Sequence, residues 1–153
     1  MSVAEPQKEL RFTRAGQALP AALLGAACAV AAVLFVTFGL YRDETPAIPH
    51  PAWGLIPLAL ALVLFRLAWH CARHAYILLS PIGVEIFPFF RPAVNMQVVP
   101  WAQIVAADIN DEQLTLHFSA EKTSGIHLSL SPIPKDRREL LAKAIRGRLP
   151  ASS

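Results

Sequence analysis

The sequence predicts an α+β protein in which a hairpin of two long apolar helices comes first and a β-rich unit closed by an amphipathic helix follows. Three observations carry that expectation. Residues 19–40 contain no charge, and residues 53–69 contain only Arg66. A proline-bearing connector, residues 41–52, lies between them. Beyond residue 75 the continuous apolar pattern gives way to short alternating runs bounded by turn residues, the signature of strands.

Each apolar run is long enough to cross a hydrocarbon core of ~30 Å at ~1.5 Å rise per residue. The 54% hydrophobic content of the 153 residues is therefore an average over two unlike parts. The expected organisation is a cytoplasmic N-terminal tail (1–18), a first span (19–40), a short extracytoplasmic loop (41–52), a second span (53–74), a cytoplasmic domain (75–149) and a tail (150–153). Gly25-Ala26-Ala27-Cys28 after Lys8, Arg11 and Arg14 is compatible with a lipoprotein-type signal as well as with an anchor. The apolar run continues well past Cys28, whereas a signal's apolar core ends before its cleavage site, so the anchor is favoured. Basic residues flank the spans at Lys8, Arg11, Arg14, Arg66 and Arg73 against Arg42 alone in the connector, which places both termini in the cytoplasm. Tyr41 and Trp53 would mark one interface, Trp69 and Tyr76 the other.

Composition excludes several functions. A net charge of +3 spread over the chain is far from a nucleic-acid-binding stripe. Cys28 and Cys71 both fall in the spans, so no disulfide framework is implied. Two spans with one charge offer no polar pathway for transport. Arg66, near Trp69, reads as a snorkelling anchor, and Arg66, His70, Arg73 and His74 together form a cationic face for anionic headgroups. Small residues at Ala21, Gly25 and Ala29, and at Ala22 and Ala26, let another helix approach closely, either the second span or a second copy.

Strands are expected at 76–80, 83–87, 96–99, 104–109, 113–119 and 125–130. A five-residue loop over 120–124 would set Phe118 opposite Ile126, Leu116 opposite Leu128 and His117 opposite His127. Two facing imidazoles suggest a metal or a pH switch, but two ligands do not make a structural zinc site, and solvated strand residues are the simpler reading. The cluster Asp108, Asn110, Asp111 and Glu112 reads as a turn. A final helix over 134–149 carries Leu141, Ile145 and Leu149 on one face. Its other faces hold Lys135, Arg137, Arg138, Lys143, Arg146 and Arg148, opposed only by Asp136 and Glu139. Packing accounts for the apolar face, and contact with the leaflet or an acidic partner would use Arg137, Arg138 and Arg146.

The order of these parts, with the Ser80-Pro81-Ile82-Gly83-Val84 turn and the Pro100-Trp101 step followed by Ile104, resembles the small, mostly uncharacterised bacterial two-span membrane proteins that end in a pleckstrin-homology-like domain. The resemblance covers essentially the whole chain. It implies a bent β-sandwich plugged by the C-terminal helix, in the bacterial cytoplasmic membrane. The chain departs from lipid-gripping pleckstrin domains in that residues 76–90 contain no Lys or Arg, so specific phosphoinositide binding loses its residues. In their place stands Phe87-Pro88-Phe89-Phe90, whose rings either join the core or, at Phe89 and Phe90, meet the membrane.

No phosphate loop, nucleophile elbow or metal motif is present in the sequence, and no cofactor is expected. The expectation is a non-enzymatic membrane protein whose domain docks a protein partner or a second copy. The alternative is a lipid-surface sensor using the Phe-rich loop and the basic helix.

Overall fold

The computed structural model describes residues 8–149. It has seven strands and three α-helices, and the chain divides into two units, residues 17–72 and the sequence on either side of them.

The second of these units begins where a tail was expected. Residues 10–13 read Leu-Arg-Phe-Thr, an apolar–polar alternation, and they form strand β1 (Leu10–Thr13) with Phe12 buried in the core. β1 pairs antiparallel with β2 (Ala75–Leu79), Leu10 opposite Leu79 and Thr13 opposite Ala75, across a bulge at Phe12/Thr13. The 1–18 tail and the 75–149 domain are thereby corrected. The sheet unit starts before the apolar helices, which are an insertion between two adjacent strands. Residues 1–7 and 150–153 of the expected tails lie outside the described residues.

β3 (Gly83–Ile86) and β4 (Gln97–Pro100) complete a four-stranded antiparallel sheet in the order β1-β2-β3-β4. The register lines up Leu10, Leu79, Val84 and Val99 in one row, with Phe12, Ile77 and Ile86 aligned in the next. Of these, only Leu10 is not fully buried. Between them runs Arg11, Leu78, Glu85 and Val98, the row that faces out. A one-residue slip would reverse the two sets, so burial fixes this register.

β5 (Ala106–Ile109), β6 (Gln113–His117) and β7 (Gly125–Ser129) form a second antiparallel sheet. Its register differs by two residues from the one expected. Leu116 faces Ile126, Leu114 faces Leu128, Thr115 faces His127 and His117 faces Gly125. The loop turns one residue early. The Phe118 amide bonds Ser124 O at 2.9 Å, Ser119 Oγ accepts the Thr123 amide at 3.2 Å, and Lys122 takes φ 55°. Gly125 permits the close pairing, since a Cβ there would collide with the Leu116 carbonyl oxygen.

Helix α3 (Lys135–Arg148) closes the sandwich. Leu141 and Ile145 are wholly buried with Leu130, Ile133, Ile77, Leu79, Leu114 and Leu116 in one continuous core. Trp101 packs against this core, and its indole Nε1–H donates to Ser80 O at 2.9 Å.

The other unit holds α1, Ala15–Gly39, and α2, Leu55–Arg73, the latter entered through a 3₁₀ turn over Pro51–Gly54. Both helices are long and apolar enough to cross a membrane. What α1 buries is Gly25, Ala32 and Gly39; Gly54, Ala61 and Ala68 are buried on the other arm, with Cys71 after them. Both sets repeat every seven residues, the seam of two helices packed side by side. A Cβ on Gly25 would lie 3.3 Å from Leu64 and the Phe65 ring, and one on Gly54 would lie 3.0 Å from Val36 Cγ2. Gly25 therefore serves the partner helix of the same chain, along a seam with Ala32 and Gly39 rather than along the four-residue ridges, of which Ala26 is exposed.

Candidate functional site

Connectivity gives one end of the four-stranded sheet its importance. A single residue, Arg14, separates β1 from α1, and a single residue, His74, separates α2 from β2. Because β2 and β3 are antiparallel, the ten-residue β3–β4 loop (87–96) emerges at this same end. The Phe87 amide bonds Tyr76 O at 2.9 Å, which ties the loop's base to the start of β2.

Arg14 is the fastener. Its guanidinium donates to Phe87 O at 3.3 Å and lies 4.0 Å from the centre of the Tyr76 ring and 5.7 Å from that of Phe89. Such cation–π contacts contribute about 0.5–1 kcal/mol each at accessible sites. The Tyr76 hydroxyl donates to Ser129 O at 2.9 Å, so the loop is anchored to the second sheet as well. Burial raises the Tyr76 pKa, and the nearby Arg14 charge opposes that rise.

The rings of the loop divide accordingly. Phe89 is half-buried and meets Phe90 edge to face, centroids 5.0 Å apart. Phe90 is 78% exposed and Val94 76%, more than any large apolar residue of the two apolar helices. Arg91 turns the chain between them at φ 50°, and its carbonyl accepts the amides of Val94 and Asn95, both at 3.1 Å. Pro88 and Pro92 flank the tip and restrict the backbone further. None of the Phe-rich segment belongs to the main core.

The basic helix does not present its cations uniformly. Arg137 and Arg146 are exposed, as a surface contact requires. Arg138 is committed internally, donating to Ile133 O at 2.9 Å, Asp111 O at 2.6 Å and Ser131 O at 3.3 Å. The guanidinium expected at a contact surface thus supplies donors to three carbonyls of the β5–β6 turn and of the segment before α3, which no strand or helix ladder pairs. Arg148 plays the matching part at the other end of α3, donating to Ser80 O at 3.0 Å and Lys8 O at 2.8 Å. Sequence periodicity gives no means of telling Arg138 and Arg148 from their exposed neighbours, since both sit at the border of the apolar face. On α2, Arg66 is exposed, and Arg73 is its last residue, whose carbonyl accepts from Arg11 at 2.6 Å.

The two imidazoles do not meet. His127 Nδ1 shares a hydrogen bond with Thr115 Oγ1 at 2.9 Å. His117 Nε2–H donates to Asp108 Oδ2 at 2.9 Å, and Lys122 Nζ reaches the same carboxylate at 2.8 Å. The Lys122 and His117 hydrogen bonds, in that order, hold the Asp108 carboxyl below its usual pKa. His117 is buried, and its Nδ1 has no partner. Among the described residues no three His, Cys, Asp or Glu side chains converge as a metal site would need. Asn110, Asp111 and Glu112 make the β5–β6 turn, closed by the Asn110 amide on Gln113 O at 2.8 Å.

Last, β4 is an edge strand: among the described residues only β3 pairs with it. Met96 and Val98 stand exposed beside it, and it carries no charge. Of the other edge strands, β1 and β5 carry Arg11 and Asp108, while β7, also without formal charge, exposes the polar His127 and Ser129 where β4 exposes Val98. No family model, curated protein or solved structure matches this chain.

Proposed function

We propose that this chain is an integral membrane protein whose two apolar helices span the bilayer and whose sheet unit is a pleckstrin-like, non-enzymatic docking module beside the membrane. The spanning part is supported by the inverted burial of the hairpin, which hides Gly and Ala and exposes Leu, Val and Phe. Surface of that kind and extent is stable against hydrocarbon rather than water. The pleckstrin-like part is supported by sheets of four and three strands plugged by a C-terminal helix. The two motifs that carry the resemblance are also physical neighbours. Trp101 donates to Ser80 O through its indole and to Ile82 O through its amide, and Gly83 pairs with Pro100.

The single observation that carries docking is the open β4 edge. An uncharged edge strand with Val98 exposed offers unpaired backbone groups to an added strand, from a protein partner or a second copy. Pro100 limits the added strand to the part of the edge before it.

A photo-crosslinking residue at position 98 of the full chain, activated in membranes, tests this, with position 113 on the second sheet as the control. An adduct specific to position 98 is expected, at twice the chain mass for a second copy or at another mass for a partner. Equal labelling at both positions would remove the docking reading.

A further inference from the structure

Phe90 and Val94 are the most exposed large apolar side chains among the described residues. A pair of side chains so exposed on a braced turn is a costly surface for a water-facing loop. The bracing is extensive: Arg14 against Phe87, Tyr76 and Phe89, the Arg91 carbonyl receiving two amides, and prolines at 88 and 92. A braced apolar tip loses little conformational entropy when it is covered.

Chain continuity indicates what covers it. The residues that lead into both apolar helices, Arg14 and His74, stand at the same end of the sheet as this loop, with no linker on either side. Charge agrees, because between Glu85 and Asp108 the only formal charge is Arg91, directly beside Phe90. An apolar tip with one cation and no carboxylate suits the boundary between anionic headgroups and acyl chains. By contrast Ile82, 71% exposed, lies in the turn at the opposite end of the sheet.

We infer that the β3–β4 loop is a lipid-contacting wedge, with Phe90 and Val94 entering the acyl boundary and Arg91 meeting anionic headgroups. This rests on the proposal that the helices span the bilayer and adds a second, shallow attachment to it. Arg14, read from sequence only as a flanking charge, is then also the residue that aims the wedge. The occupant is a phospholipid surface rather than the strand partner proposed for β4.

The test uses the full chain in nanodiscs of phosphatidylcholine and phosphatidylglycerol, with Cys28 and Cys71 replaced by Ala. A bimane label is placed in turn at Phe90→Cys, Val94→Cys, Ile82→Cys and Val33→Cys, and quenching by a shallow doxyl lipid is measured. The expected result is quenching at 90 and 94 several-fold above that at 82, with 33 quenched by a deep doxyl lipid. Quenching at 33 with 90 and 94 no different from 82 would overturn the wedge and leave the spanning hairpin standing. A label at 33 that no lipid quencher reaches would overturn both. Protection of label 90 only when a second copy is crosslinked would assign the tip to a protein contact and also overturn the wedge.

Discussion

The two units of this chain use the same apolar residues in opposite ways. In the sheet unit Ile77, Leu79, Leu114, Leu116, Leu130, Ile133, Leu141 and Ile145 are inside, and charge is outside. In the helix unit Gly25, Ala32, Gly39, Gly54, Ala61 and Ala68 are inside, while Leu23, Val33, Leu62 and Val63 are outside. The difference teaches that burial follows the surrounding medium. Water drives large apolar groups inward, whereas close packing of small residues that leaves the large ones outside is the pattern expected of helices solvated by hydrocarbon, as proposed for this unit.

The sharpest way to break that comparison is to truncate one large residue in each unit. Leu116→Ala is expected to cost the sheet unit about 2–5 kcal/mol through lost burial and a cavity. Leu62→Ala, on the exposed face of α2, is expected to leave stability within about 0.5 kcal/mol. Denaturant unfolding of the full chain in detergent, followed by tryptophan fluorescence, measures both, and equal losses would erase the distinction. On the helix side the reciprocal change is Gly54→Val. Its added methyls meet Val36 and the Ala32 carbonyl, so overpacking is expected to cost about 1–3 kcal/mol. A spin-label distance between α1 and α2 should then lengthen.

The basic helix permits a finer comparison within the sheet unit. Arg138→Ala removes three donors from carbonyls around the start of α3 and is expected to cost about 1–2 kcal/mol, discounted from the buried value because the group is partly exposed. Arg137→Ala should stay within about 0.5 kcal/mol and show as an unchanged melting temperature. The smallest effect expected is from Asp108. Its folded pKa is depressed, so its contribution is present above the ordinary aspartate value near 3.8 and is lost as pH falls through the lower, folded value. Thermal melts from neutral pH to about pH 3 should therefore show a slightly steeper acid decline for the parent than for Asp108→Asn. Identical declines would mean that the Lys122 and His117 contacts add nothing measurable.

Much of this architecture was legible in the residues. The two apolar runs, the β-rich remainder, the acidic turn and the amphipathic closing helix all follow from periodicity and length, because long uniform patterns average over local exceptions. The four-residue strand β1 was not. Leu10 and Phe12 alternate as a strand should, but Lys8, Arg11 and Arg14 around them read as a charged flank. The β6–β7 register also escaped the sequence, since loops of equal length at 119–123 and 120–124 both keep the apolar residues on one face. Only the left-handed Lys122 and the close approach at Gly125 separate them.

The candidate site divides in the same way. Composition marked Phe89, Phe90, Arg137 and Arg146 as residues worth attention, and sequence alone determined that two helices are long and apolar enough to cross a membrane. Tertiary structure decided that the hairpin is inserted between β1 and β2, that Arg14 braces the β3–β4 loop, and that Arg138 and Arg148 are consumed by carbonyls. The physical reason is range. Periodicity reports which medium a residue prefers from its near neighbours, whereas a hydrogen bond from Arg148 to Lys8 joins positions 140 residues apart, which no local pattern encodes.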